Sequence, residues 1–152
     1  MDKAELIQCY ATLLKELSEP AGSVVVSSSA ALVLMGLRDN ASKLTVNINE
    51  NVFRMLANKY PVKRNKNINL RIQFNPLVYL HILAEDTGIV CIEGVYALSP
   101  RELLVHKRHL ASLPTRREDR AARDKEEVKL LEQLMRNHTF TARSNLGSSL
   151  PA

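Results

Sequence analysis

Three consecutive valines, Val24-Val25-Val26, run into three serines, Ser27-Ser28-Ser29, and then into the apolar stretch Ala30–Leu37, which contains Gly36 and is followed by Arg38. Branched side chains are stiff about χ1 and favour extended backbone, so the valines predict a short buried strand over 23–27. Serine hydroxyls accept from the first amides of a helix and glycine ends one, so the next segment predicts a helix capped by serine and stopped at or near Gly36. A buried strand passing straight into an apolar helix needs cover on both elements, which demands a layered domain with helices packed on a sheet.

The remaining patterns fill in those layers. Leu6, Ile7, Tyr10, Leu13, Leu14 and Leu17 recur at helical spacing over 2–17, and Glu19-Pro20-Ala21-Gly22 stops that helix. Leu44, Val46 and Ile48 alternate with Lys43, Thr45, Asn47 and Asn49, the period of a half-buried strand with Thr45, Asn47 and Asn49 on one polar face. Val52, Phe53, Leu56 and Ala57 predict a helix over 50–58, and Ile68, Leu70, Ile72 and Phe74 a second amphipathic strand. Residues 76–84 are apolar and ambiguous in type, while Glu93-Gly94 between two apolar runs predicts a hairpin. Ser99-Pro100 opens a helix, a longer one follows over 116–135, and the polar residues 137–152 read as a flexible tail.

The expected fold is therefore α/β of the α+β kind, a mixed sheet of about four to six strands with helices packed on it and a helical C-terminal segment. The expected division is a single domain over 1–136, with an N-terminal helix over 1–19, a sheet-containing core over 23–98 and C-terminal helices over 99–136. A length of 152 residues, 45% hydrophobic and 24% charged, suits one core. No apolar run approaches the roughly 20 residues that span a bilayer, and the N-terminus lacks the order of a secretory signal, so a soluble, cytoplasmic protein without a membrane partner is expected.

Cys9 and Cys91 lie far apart in apolar surroundings and read as buried thiols in a reducing compartment. Neither they nor His81, His106, His109 and His138 have metal-ligand spacing, so no metal site is expected. The net charge of +5 allows an anionic partner such as RNA, although 5% aromatic residues offer few stacking platforms. Lys63, Arg64, Lys66 and Arg71 form one candidate anion-binding patch. Lys107, Arg116, Arg117, Arg120 and Arg123 form a second, interspersed with acids at spacings that suit ion pairs.

The run from Val24 through Ser27-Ser28-Ser29 and Ala30-Ala31-Leu32-Val33-Leu34-Met35-Gly36-Leu37-Arg38 to Thr45-x-Asn47-x-Asn49 resembles small nucleotidyltransferase-fold proteins, including toxin-like members of bacterial abortive-infection and toxin–antitoxin systems. Val95–Lys107, with Ser99-Pro100-x-Glu102-Leu103-Leu104, and Arg123-Asp124-Lys125 before Val128-x-x-Leu131 look like later segments of the same family, so the resemblance covers roughly 20–135. It implies a nucleotide held at Ser28, Ser29, Arg38 and Lys107. In an active member it also implies Mg²⁺ and a nucleoside triphosphate, held by paired carboxylates on the strand that here carries Asn47 and Asn49. An amide oxygen can coordinate a cation but brings no negative charge.

These degenerate positions imply a non-catalytic protein that binds a protein partner, a nucleotide or RNA. Two alternatives follow from the same residues. One is an active, divergent enzyme transferring a nucleoside monophosphate to a hydroxyl, with Glu50 or Glu93 assisting a metal. The other is a basic nucleic-acid-binding module.

Overall fold

A computed structural model of the chain describes residues 1–64 and 70–149, with side chains described through residue 137. Helix α1 (Lys3–Leu17) opens on a reciprocal cap: the Glu5 amide donates to the Asp2 carboxylate at 2.9 Å, and the Asp2 amide donates to the Glu5 carboxylate at 3.2 Å. Its apolar stripe buries Leu6, Tyr10 and Leu13. A 3₁₀ turn at Ala21–Ser23 leads into β1 (Val24–Ser27), buried along its whole length. The Tyr10 hydroxyl ties α1 to this turn and strand, lying 2.6 Å from the Val24 carbonyl and 2.7 Å from that of Ala21.

Helix α2 (Ser28–Leu34) follows without a loop and buries Ala30 through Leu34. Gly36 ends the segment at φ 75, a left-handed conformation that suits glycine. Strand β2 (Leu44–Ile48) alternates as its sequence requires, with Leu44, Val46 and Ile48 buried and Thr45 and Asn47 half-buried. Helix α3 (Glu50–Ala57) buries Phe53. Then come β3 (Val62–Arg64), β4 (Leu70–Asn75), β5 (Val78–Ile82), β6 (Ile89–Ile92) and β7 (Val95–Leu98). Glu93 at φ 49 and Gly94 at φ 81 make the two-residue turn between β6 and β7, where positive φ at both positions matches the twist of paired strands. Helices α4 (Pro100–Ser112) and α5 (Glu118–Ser149) complete the chain.

The seven strands form one mixed sheet in the order β3-β4-β5-β2-β1-β7-β6. β1 pairs antiparallel with β2 and parallel with β7, β2 pairs parallel with β5, and β5-β4-β3 run antiparallel to one another. The sheet exceeds the expected four to six strands because two members carry weak patterns. β3 is exposed at all three positions and so shows no apolar period, while β5 lies in the stretch whose type was ambiguous.

The chain divides into two compact units, Met1–Thr87 with Cys91–Ala97, and Gly88–Val90 with Leu98–Ala152. The first holds α1, α2, α3, the strands from β1 to β5, the end of β6 and most of β7. The second holds α4 and α5, and α5 continues as helix to Ser149, past residue 136 where a tail was expected. Within it, the Ser99 hydroxyl accepts from the Glu102 amide at 3.3 Å, which caps α4 ahead of Pro100. Among the described residues no helix is long and apolar enough to cross a membrane.

Candidate functional site

The turn from β1 into α2 is built from serines, and each does something different. Ser27 has the extended backbone of a helix cap, but its hydroxyl makes no capping bond. It donates instead to the Asn47 side-chain oxygen at 2.9 Å, with the Thr45 carbonyl at 3.4 Å. Ser28 stands at φ 57, a left-handed conformation unusual for a residue with a side chain and natural for glycine. Ser29 accepts from an Arg38 guanidinium nitrogen at 2.5 Å. The structure thus makes two pairs at the end of β1, Ser27 with Asn47 and Ser29 with Arg38, and Ser28 lies between them in the chain.

Asn49 does not belong to that group. The strand stops at Ile48, and Asn49 turns its side-chain oxygen to the Asn51 amide at 2.8 Å as the N-cap of α3. Capping is a role for which asparagine competes well against strand extension. The expected polar trio of Thr45, Asn47 and Asn49 is therefore a pair, Thr45 and Asn47, and the reading of Asn47 and Asn49 as two positions of one binding face is corrected.

The strand beside β2 is β5, one place nearer than the β4 segment that supplies Arg71 and Gln73. Its register sets Tyr79 opposite Thr45 and His81 opposite Asn47. From the sequence Tyr79 was not singled out and His81 was weighed only as a metal ligand, although Val78, Leu80 and Ile82 alternate with them in the ambiguous stretch. Neither contributes a carboxylate.

The first basic patch is divided by the pleat. Lys63 pairs with Arg71 and shares its face of the sheet, whereas Arg64 pairs with Leu70 and points to the other face. Lys66 lies outside the described residues. Arg71 sits over the Tyr79 ring, its guanidinium carbon 4.2 Å from the centroid, and the Lys43 ammonium is 5.8 Å from the same ring. Both distances are within cation–π range.

Lys107, expected to touch a nucleotide, is committed elsewhere. It is buried in the second unit, 3.1 Å from the Glu127 carboxylate and 3.4 Å from that of Asp124, while Arg116 reaches Asp124 at 3.0 Å. Two cations and two carboxylates balance in this cluster. The second basic patch is thus partly an internal ion-pair network between α4 and α5, and removing a buried charge from water is tolerable only with such partners. The Arg117–Asp119 and Arg108–Glu132 pairs are surface contacts.

The two glutamates considered as metal helpers are also engaged. Glu50 binds Arg54 one turn along α3 at 2.9 Å, and Glu93, in the hairpin turn, pairs with Lys3. Among the described residues no group of three or more His, Cys, Asp or Glu side chains is assembled to hold a metal ion. Cys9 and Cys91 are free thiols and only half-buried, less enclosed than their apolar neighbours suggested. Burial, with the nearby Glu16 carboxylate adding to it, pushes the Cys9 thiol above its ordinary range.

The fold is thus an α+β mixed sheet whose polar face carries hydroxyl, amide and cationic groups. Comparison with protein-family models, curated proteins and solved structures finds no match.

Proposed function

We propose that this chain is a non-catalytic nucleotidyltransferase-like protein that acts by binding, with the phosphates of a nucleotide taken at the turn formed by Ser28, Ser29 and Arg38. The observation that carries this reading is the contrast between that turn and the strand beside it. Ser28 keeps the left-handed backbone that a glycine would supply for close approach of a ligand, and Ser29 lies against a guanidinium. On β2, the residue in the place of a catalytic acid is the neutral Asn47, whose side-chain oxygen already accepts from Ser27. The second acid position, Asn49, is occupied in capping α3.

A site of this composition can attract phosphate oxygens but cannot hold Mg²⁺ through paired carboxylates or accept a proton from an attacking hydroxyl. The active alternative needs Glu50 or Glu93 as a metal ligand, and both are bound to cations of their own.

Calorimetric titration with each nucleoside triphosphate, with and without Mg²⁺, tests the proposal. Binding that persists without the metal and disappears in Ser28→Trp is expected. Transfer of labelled nucleotide to any acceptor, lost on substitution of Asn47, would overturn the non-catalytic reading, and absence of binding by every nucleotide would overturn the nucleotide site.

A further inference from the structure

We infer that the polar face of β2-β5-β4-β3 is a binding strip for single-stranded RNA, adjoining the Ser28 turn at Thr45 and centred on Tyr79. The pleat and register place Lys43, Tyr79, Arg71 and Lys63 on one face across four adjacent strands. With neighbouring strands about 4.8 Å apart, β2 and β3 are separated by roughly 14 Å. That is room for a few nucleotides.

The chemistry of the strip selects the ligand. No carboxylate stands among the described positions of this face, and Lys43, Lys63 and Arg71 form no ion pair among the described residues. Three cations without acidic partners present a field that phosphates can enter without displacing a bound carboxylate. An acidic peptide would satisfy the charge alone. The strip also offers a planar guanidinium held at 4.2 Å over an aromatic ring, and stacking on flat groups of this kind is how splayed bases are held. The ring contact fixes Arg71 before a ligand arrives, which reduces the ordering lost on binding.

Bases paired in a duplex hide their faces, so a stacking strip favours a single strand. Thr45, opposite Tyr79, and Gln73, its partner on β4, flank the ring with a hydroxyl and an amide able to bond a ribose 2′-hydroxyl.

The test is fluorescence anisotropy of the full chain with a labelled oligouridylate of about 12 residues. The same measurement is made with the matching DNA, an RNA duplex, and polyglutamate as competitor. Affinity for the RNA should fall with salt at a log–log slope of about −2, three cations each contributing about 0.7. Lys63→Glu and Arg71→Glu should weaken binding and flatten that slope. Tyr79→Ala should lose about ten-fold in affinity, while Tyr79→Phe, which keeps the ring and reports on folding, should bind as the parent does.

The inference is overturned if Tyr79→Ala binds unchanged, or if Lys129→Glu on the exposed side of α5 weakens binding as much as Lys63→Glu. Equal affinity for the duplex, or full competition by polyglutamate, would reduce the strip to bare charge and overturn it as well. Equal affinity for DNA would remove the assignment to RNA. Ser28→Trp should leave RNA binding intact and Tyr79→Ala should leave nucleotide titration intact, so this inference and the proposed function fail separately.

Discussion

The Ser27 hydroxyl donates to the Asn47 side chain across β1 and β2 at 2.9 Å, a side-chain bond that links the two strands. Asn47→Asp keeps an acceptor in the same place, so its stability should stay within about 1 kcal/mol of the parent, whereas Asn47→Leu should lose about 1–2 kcal/mol by leaving Ser27, itself buried, without its best partner. Urea denaturation of the two variants checks this. A greater loss for Asp than for Leu would show that the bond does not matter to the fold.

Ser28 carries a side chain in a backbone conformation that suits glycine. Relief of that strain and the greater freedom of unfolded glycine nearly offset each other, so Ser28→Gly should leave stability within about 1 kcal/mol. A branched side chain tolerates left-handed backbone worst, so Ser28→Val should lose about 2 kcal/mol or more. Denaturant midpoints for the pair measure the strain. Equal stability would mean that Ser28 is not held left-handed in solution.

Lys107 is enclosed by Asp124 and Glu127. Lys107→Met should destabilise the protein by about 3–5 kcal/mol, because two carboxylates then share the neighbourhood with Arg116 alone. Adding Glu127→Leu to the same chain should recover a substantial part of the loss, a coupling that a double-mutant cycle reads directly. Additive losses would show that Lys107 and Glu127 do not interact.

The Tyr10 phenol is pushed up to about 12, chiefly by burial. Its ordinary value is near 10, so between those limits the unfolded chain releases the proton while the folded chain retains it, and the stability due to this group falls as pH rises. Below pH ~10 its contribution is complete. In Tyr10→Phe the decline over that interval should be shallower than in the parent, although the variant starts lower for want of the hydroxyl's contacts with Val24 and Ala21. Parallel slopes would contradict the assignment.

Much of the architecture was legible because burial imposes a period. Leu44, Val46 and Ile48 must face the core, and Leu6, Tyr10 and Leu13 recur at the spacing of the stripe that α1 buries. What escaped the sequence depended on pairing. Nothing in the chain order says that β2 lies beside β5 and not β4, so Tyr79 went unnamed and His81 was weighed as a metal ligand alone. Asn49 was misassigned because a period-two pattern looks the same up to the residue where a cap takes over from a strand. Lys107 reads as a surface cation until α5 folds back and supplies Asp124 and Glu127.

β3 ends the order of strands, and its Val62, Lys63 and Arg64 are all exposed. A terminal strand leaves a row of amides and carbonyls to which the strand of another molecule can add, and charged side chains at such an edge repel the incoming copy. Lys63 and Arg64 therefore guard the protein against its own aggregation, whatever ligand the neighbouring face accepts. Apolar residues at both positions should therefore lower the protein's solubility without touching its core.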